Sequence, residues 1–285
     1  MDYVTLGRTG LKVSVAGLGC GGFSRLGLGT GKSEADAIAL VRQAFDLGVN
    51  IFDTAAAYGT EAVLGRALRT VPRDRVVICT KAPFGASNPN SPPRAPSRAS
   101  TATPKELGTD YIDVYYGIAP AAYDHALNEL APALLREKEK GKFRHLGISE
   151  TAPHDPEHRM VTRACRNGVW EVAMVGFHMM HQNARQNVFP LTRQYRVGTL
   201  LMFAVRNIFS QPGRLQRTMR EWRPPGWCRR RSPTVPIRSA FWSTRAAPAA
   251  SSTPPTALCA TSRASMWCGS VLATTSTSRP ISARC

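Results

Sequence analysis

The chain has 285 residues, of which 43% are hydrophobic and 20% charged, a composition typical of a globular protein with one sizeable core. No apolar run approaches the length of a membrane-spanning helix, and the first residues lack a secretory signal pattern, so neither a membrane protein nor a secreted one is expected. The net charge of +18 would suggest nucleic acid as a partner, but half of it comes from nine Arg in residues 223–285, a segment without Lys, Asp or Glu.

Residues 1–222 alternate predicted strands, which are short apolar runs, with predicted helices, which show a 3.6-residue period. Ser33 and Asp36 form a candidate capping box for the first helix, which Gly48 ends. Predicted strands cover residues 13–19, 49–52, 75–80, 111–116, 143–148, 170–175 and 198–203, and predicted helices cover 34–47, 61–68, 123–140, 157–166 and 183–195.

This alternation predicts an α/β fold with a parallel sheet. Repeats of roughly 30 residues favour a (β/α)8 TIM barrel over a doubly wound sheet. About seven βα units are recognisable and the eighth strand is missing, so we expect an incomplete barrel over residues 1–222, with open edges on its first and seventh strands.

Two segments break the pattern. Residues 84–104 contain five Pro and no Leu, Ile or Val, which excludes an amphipathic helix at that place. Residues 223–285 lack Asp, Glu, Lys, Asn, Gln, His and Tyr, and are expected to form a disordered, basic, low-complexity tail. We interpret both segments as out-of-frame translations of a GC-rich gene. The alternative is a natural basic tail with a Pro-rich insertion, and the coding DNA read in three frames distinguishes the two.

Three side chains with complementary chemistry follow adjacent predicted strands. Asp53 follows one strand, Tyr58 lies five residues further on, and Lys81 ends the next strand. The carboxyl ends of parallel barrel strands share one face, so these groups are expected to converge there. A lysine ammonium lowers the pKa of a neighbouring phenol, and a carboxylate keeps that lysine charged, so Tyr58 becomes a usable general acid for a carbonyl oxygen. Each residue alone is also compatible with a structural role, as a helix cap or a solvated charge.

The motifs around these residues resemble those of the aldo-keto reductase family. Residues 48–59 (GVNIFDTAAAYG) are similar to the family's G-x-x-x-x-D-T-A-x-x-Y-G signature, and residues 77–81 (VICTK) to its lysine strand. Further similarity covers its N-terminal hairpin and the starts of its fourth and fifth strands, in residues 6–14 (LGRTGLKVS), 108–113 (GTDYID) and 141–149 (GKFRHLGIS). The resemblance extends over residues 3–83 and 105–222.

The resemblance implies reversible hydride transfer between a nicotinamide cofactor and a small-molecule aldehyde or ketone. Tyr58 would be the acid, Lys81 would lower its pKa, and Asp53 would support Lys81. It also implies cofactor contacts and favours NADP(H) over NAD(H), although the discriminating groups would lie beyond the eighth strand. The residues that would contact the cofactor are Gly19, Asp53, Ser149 and Phe203.

Several positions depart from the family pattern. The fourth strand of the family ends in Leu-His-Gly, whereas Tyr116 here runs directly into Gly117, so a carbonyl-orienting His is lacking. Glu150 stands where Asn is usual, and Met174 where a carboxamide-contacting Gln is usual. Nothing after Trp222 resembles the region that binds the adenosine end of the cofactor. Phe203 could stack on the nicotinamide or be an ordinary rim aromatic.

Three other readings compete with a reductase. Residues 17–22 (GLGCGG) fit G-x-G-x-x-G, but the next helix begins only near Ser33, which disfavours a Rossmann site. The departures described above leave room for a non-enzymatic, binding or regulatory barrel. Nucleic-acid binding by the tail lacks a recognised motif.

The seven Cys form no CxxC pair, so neither a metal site nor disulfides are expected, and a cytoplasmic location is the default. The sequence does not predict the oligomeric state.

Overall fold

Seven parallel strands curve into the wall of a barrel, as predicted. The computed structural model describes residues 1–83, 104–118, 131–150, 155–178, 181–204, 213–221 and 269–274. Parallel pairing runs without interruption from the first of these strands to the seventh. The strands are β3 (Ala16–Gly19), β4 (Ile51–Asp53), β5 (Val77–Pro83), β6 (Ile112–Ile118), β7 (Phe143–Ser149), β8 (Val172–Gly176) and β9 (Gly198–Met202).

The eighth position of the wall is filled by a strand from the tail. Strand β10 (Gly269–Thr274) pairs antiparallel with both β3 and β9, and the barrel is closed. The expectation of two open edges is therefore wrong, because a strand of opposite direction satisfies the backbone groups of both neighbours. An eighth parallel strand is not found among the described residues. The rest of the tail and the Pro-rich segment 84–103 lie outside those residues.

The amino-terminal end of the barrel is covered by a hairpin of β1 (Tyr3–Thr5) and β2 (Lys12–Ser14). The predicted single strand 13–19 is therefore two strands, which separate at Val15, whose N–H bonds Asp2 O at 2.9 Å. Leu6 lies in the hairpin loop and is fully buried. It sits so close to Gly198 that a Cβ there would lie 2.7 Å from Leu6 Cγ.

The helices on the outside of the barrel follow the predicted pattern with shifted ends. The capping box is confirmed: Ser33 Oγ accepts a hydrogen bond from Asp36 N, and Asp36 accepts one from Ser33 N. The predicted helix 183–195 is divided in two, because Pro190 has no N–H to continue the helical hydrogen bonds. The helices are α1 (Glu34–Asp46), α2 (Glu61–Leu68), α3 (Ala131–Glu139), α4 (Arg159–Arg166), α5 (Ala184–Asn187) and α6 (Phe189–Gln194).

Two apolar clusters hold this architecture together. The larger lies between helices and barrel wall and includes Val41, Leu64 and Trp170. The smaller fills the barrel interior and contains Ile51, Val77, Val114, Val172 and Leu200. Burying two separate apolar faces of each strand is what a parallel βα barrel requires, and it fixes the register that positions the rim.

The chain divides into two compact units, residues 1–206 with 266–285, and residues 207–265. Within the second unit the structure describes one helix, α7 (Arg214–Glu221). Among the described helices none is both long and apolar enough to cross a membrane.

Candidate active site

The carboxyl ends of β4 and β5 bring the predicted Asp53, Tyr58 and Lys81 together. Asp53 is the last residue of β4 and pairs in register with Cys79 of β5. Lys81 lies two residues beyond Cys79, and because strand side chains alternate, both point to the same side of the wall. Tyr58 lies in the short 3₁₀ turn that follows β4. Strand β5 runs on to Pro83, past its predicted end at Thr80.

The Lys81 ammonium is held by three acceptors. Its Nζ lies 2.9 Å and 2.8 Å from the two carboxylate oxygens of Asp53 and 3.0 Å from the carbonyl oxygen of Thr54. Both charged side chains are buried, with 6% and 8% of their surfaces exposed. Such a pair is retained in the core only when its hydrogen bonds are well made, and here the geometry is bidentate.

Tyr58 is placed between this ion pair and a glycine. The Lys81 Nζ lies 5.1 Å from the centre of the Tyr58 ring. On the other side, a Cβ at Gly21 would lie 2.3 Å from Tyr58 Cε2, so only glycine allows the ring this position. The turn itself is closed by Tyr58 N, which bonds Ala55 O at 2.9 Å, and by Gly59 in a left-handed conformation with φ of 66°.

Burial and neighbouring charges shift the pKa values of Lys81 and Tyr58 in opposite directions. Burial alone would lower the pKa of Lys81, but Asp53 and Tyr58 together outweigh it, and the pKa of the ammonium lies above its ordinary value. Burial raises the pKa of Tyr58, and the nearby Lys81 only partly offsets this. The phenol therefore holds its proton more firmly than free tyrosine, whereas a net lowering of this pKa was expected from the sequence.

Buried hydrogen bonds hold the 3₁₀ turn that contains Tyr58 against the barrel wall. Thr54 Oγ1 and Thr60 Oγ1 are 2.9 Å apart. Thr80 Oγ1 donates to Glu61 Oε1 at 2.6 Å, linking β5 to the first residue of α2. These contacts tie both ends of the Tyr58 turn to the barrel wall, so the ring is held by packing and by hydrogen bonds together.

The other half of the rim is built differently from the family pattern. Ser149 ends β7 and is buried, with Oγ 3.5 Å from the carbonyl oxygen of Glu150. The Glu150 side chain turns toward β8 and α4: one carboxylate oxygen accepts a hydrogen bond from Gly176 N, and the other bonds His158 Nδ1 at 2.8 Å. Glu150 thus takes a place between two elements, where the resemblance implies an amide facing the cofactor.

The remaining predicted residues also lie near strand ends. Gly19 ends β3, buried next to Asp53 in register. Phe203 follows β9 with a positive φ of 65°, and 38% of its surface is exposed. Met174 belongs to the apolar cluster inside the barrel.

No described histidine takes the place of the strand-four His that the family pattern expects. His145 Nδ1 instead contacts Glu171 Oε1 at 2.8 Å, near the amino-terminal ends of β7 and β8, and His158 is fully buried against Glu150. Strand β6 ends at Ile118, opposite Pro83 of β5. Its Tyr116 is fully buried in the barrel interior, and the Lys81 Nζ lies 5.8 Å from the ring centre.

The residues present fit the nicotinamide end of a dinucleotide. An exposed aromatic ring at Phe203, a hydroxyl at Ser149 whose hydrogen bond within the described residues is long, and the phenol of Tyr58 all stand at carboxyl ends of strands. Ring stacking and carboxamide hydrogen bonding use such groups. No cluster of three or more potential metal ligands occurs among the described residues.

Sequence reasoning missed two residues that shape the rim. Gly21 was considered only as part of a phosphate-binding glycine pattern, and its contact with Tyr58 depends on how β3 and the turn after β4 approach each other. His158 was not singled out, since its partner Glu150 lies eight residues away in the sequence and no periodic pattern links the two. The signal that could have pointed to His158 is Glu150 itself, which stands where the family usually has Asn.

The fold and the rim define a parallel βα barrel with a buried Asp–Lys pair beside a tyrosine at its carboxyl end. The model of the aldo/keto reductase family matches residues 17–218, and the chain belongs to this family. Arabidopsis thaliana L-galactose dehydrogenase is 36% identical over 157 residues, 52% of this chain and 48% of that protein. The chain spans about half the length of the curated relatives it matches.

Solved structures of the family share the fold. An aldo-keto reductase from Bacillus halodurans in its holo form has a TM-score of 0.58 at 24% identity, over 70% of this chain and 65% of that one. An aldo/keto reductase from Klebsiella pneumoniae in complex with NADP and acetate has a TM-score of 0.57 at 24% identity, over 78% and 73% of the two chains. At these identities the structures support the barrel fold.

Proposed function

We propose that the chain is an oxidoreductase that transfers a hydride reversibly between NADP(H) and a small aldehyde or ketone. The observation that carries this proposal is the convergence of the Asp53–Lys81 pair and Tyr58 at one end of the barrel. Family membership supports it. The complex of the Klebsiella relative with NADP favours NADP(H) as the cofactor.

In this proposal, Tyr58 donates a proton to the carbonyl oxygen and Lys81 stabilises the phenolate that remains. Asp53 keeps Lys81 charged and fixed through its two hydrogen bonds. Gly19, Ser149 and Phe203 contact the cofactor, which supplies the hydride when bound. Burial raises the pKa of Tyr58, so the phenol is protonated at neutral pH, and Lys81 offsets part of that rise and makes the proton easier to transfer.

The test is a steady-state assay that follows NADPH absorbance at 340 nm with a panel of aldehydes and ketones. The reverse reaction uses NADP⁺ with sugars such as L-galactose, the substrate class in the name of the Arabidopsis relative. We expect turnover by the wild type and a loss of about 10²–10⁴-fold in kcat for Tyr58→Phe.

Two controls make the assay decisive. Tyr195→Phe removes a phenol near the opposite end of the barrel, where the backbone of Tyr195 binds Arg8, and should leave kcat unchanged. NADPH affinity should be similar in Tyr58→Phe and the wild type. Equal turnover by Tyr58→Phe and the wild type would remove Tyr58 from the mechanism.

A second candidate function is a non-catalytic barrel that binds the dinucleotide. Glu150 turned away toward His158 and Met174 buried in the interior favour it, because both positions differ from the family's carboxamide contacts. It predicts NADPH binding without turnover on any carbonyl in the panel, whereas the reductase proposal requires both.

A further inference from the structure

A cavity of about 360 Å³ lies at the amino-terminal end of the barrel, opposite the catalytic group. Its walls come from the hairpin, from the end of α1 with the turn into β4, and from the turn before β5. The volume corresponds to roughly a dozen water molecules, so the cavity accommodates a small organic molecule rather than a single ion. Its described lining residues include none of those to which the proposed function gives a role.

Two cations line this cavity, and each contacts an aromatic ring. The Lys12 Nζ lies 6.0 Å from the centre of the Tyr3 ring. The Arg75 guanidinium lies 5.1 Å from the centre of the Phe45 ring. Within the described part of the chain, neither cationic side chain forms an ion pair or a hydrogen bond. Because contact with a ring uses no acceptor, the N–H donors of both cations are available to an anion.

The other lining side chains decide which kind of anion fits. Asp74 is the one carboxylate among them, so the lining carries two positive charges and one negative charge, which suits a single anionic group. Val49 and the rings of Tyr3 and Phe45 supply apolar surface. A planar guanidinium binds a planar carboxylate through two parallel hydrogen bonds. Together these groups favour a carboxylate that is attached to a small ring.

Hydrogen bonds within the wall fix the shape of the cavity. The Tyr3 hydroxyl donates to Gly48 O at 2.8 Å. The Asn50 side chain donates to Lys12 O at 2.9 Å and accepts from Ser14 N at 2.7 Å. These bonds join the hairpin to the turn into β4, so the wall is formed before a ligand binds and little ordering has to be added on binding.

From these observations we infer that the cavity is a binding site for a small aromatic carboxylate, which Lys12 and Arg75 hold through its charged group. The bound carboxylate links the hairpin to the turn before β5. Because it binds the folded chain and not the unfolded one, it stabilises the barrel. The site lies away from Asp53, Tyr58 and Lys81, so the inference does not depend on the proposed function.

The experiment titrates the full chain with benzoate by isothermal titration calorimetry, at neutral pH and without dinucleotide. The wild type should bind benzoate with a Kd of about 1 mM or tighter. Benzamide has the ring without the charge and acetate has the charge without the ring, so each should bind at least about tenfold more weakly. The double variant Lys12→Met/Arg75→Gln should also bind benzoate at least about tenfold more weakly, because the carboxylate loses both cations.

The matched control is the double variant Arg66→Gln/Lys140→Met. It removes the same charge from two other surface positions, where the side chains are 48% and 61% exposed. Its Kd for benzoate should equal that of the wild type. Tyr58→Phe should also bind benzoate as the wild type does, which separates this site from a carboxylate bound at the catalytic rim.

Three results would overturn the inference. They are no saturable binding of benzoate by the wild type below about 10 mM, equal Kd values for the wild type and Lys12→Met/Arg75→Gln, and equal losses in that variant and the control. Both Lys12 and Arg75 are exposed, so the variants should fold, and circular dichroism checks this. The single variant Arg75→Gln should raise the Kd by about fivefold and repeats the test with one change. Each of these results leaves the reductase proposal intact, since none of them measures turnover.

Discussion

At the ends of β4 and β5 a buried carboxylate faces an ammonium, whereas at the ends of β7 and β8 a buried carboxylate faces an imidazole and a backbone N–H. The first pair is neutral overall and closely follows the family signature. The second stands where the family pattern has an amide, and its carboxylate bonds a histidine ring and a backbone N–H. In the proposed function the ion pair next to Tyr58 supports proton transfer, whereas Glu150 next to Ser149 is turned toward His158 and Gly176 N. The comparison teaches that one half of a barrel rim can keep the Asp, Tyr and Lys of the family signature while the residues of the other half differ from the family pattern.

The largest effect is expected when the cation that pairs with Asp53 is removed. Lys81→Met should lower the free energy of unfolding by about 3–5 kcal/mol, because it leaves a buried carboxylate without its cation. Urea denaturation followed by circular dichroism measures the change. The double variant Asp53→Asn/Lys81→Met should recover more than half of the loss, since no buried charge remains.

An exposed ion pair provides the reference for this prediction. The Lys140 side chain is 61% exposed in its pair with Glu137, so Lys140→Met should cost less than about 0.5 kcal/mol. Similar losses for Lys81→Met and Lys140→Met would show that burial does not make the Asp53 pair special.

A smaller effect tests the support of Tyr58. Gly21→Ala would place a Cβ 2.3 Å from Tyr58 Cε2, so the ring must move. Because displacement of a catalytic group by about 1 Å costs about 10²-fold, kcat for carbonyl reduction should fall by about that factor.

Gly198→Ala is the control for Gly21→Ala. It produces a comparable clash with Leu6 at the amino-terminal end of the barrel. It should lower stability while kcat of the folded protein is retained. A normal kcat in Gly21→Ala would mean that the ring position is not set by this glycine.

The smallest effect sharpens the comparison between the two Glu–His pairs. Burial opposes the charge of Glu171, but hydrogen bonds from His145, Lys138 and Leu146 N lower its pKa from 4.5 to about 2. The pKa is depressed by folding, so the stabilisation is present above pH 4.5 and is lost as the pH falls toward 2. Because solvent reaches this site, Glu171→Gln should cost about 1 kcal/mol at pH 7.

Urea denaturation at pH 7 and pH 3 measures the contribution of Glu171. The difference between the wild type and Glu171→Gln should be largest at pH 7 and smaller at pH 3. A difference that does not change between these pH values would contradict an ionised Glu171 as the source of the stabilisation.

Local patterns were sufficient to predict much of the fold. The Ser33 capping box, the helix 61–68 and the seven parallel strands follow from short-range periodicity and capping chemistry, and all are found. The continuation of β5 to Pro83 shifts one element end. The split of the helix 183–195 follows from Pro190, which has no N–H to continue the helical hydrogen bonds.

Long-range pairing was not predictable in the same way. Strand β10 lies in a tail of low complexity, and its antiparallel position between β3 and β9 depends on backbone pairing across more than 60 residues, with no local signal. The contact of His158 with Glu150 likewise joins two residues eight positions apart that no local pattern links. Asp53, Tyr58 and Lys81 could be predicted from the sequence because they lie in two short motifs, residues 48–59 and 77–81, at the ends of neighbouring strands.

The most direct test of the account follows the hydride itself. The purified chain is incubated with NADPH carrying deuterium at both C4 positions and with a carbonyl substrate from the panel, and the product alcohol is analysed by mass spectrometry. The account predicts an alcohol one mass unit heavier with the wild type and almost none with Tyr58→Phe. Tight NADPH binding by the wild type without deuterium in any product would contradict it.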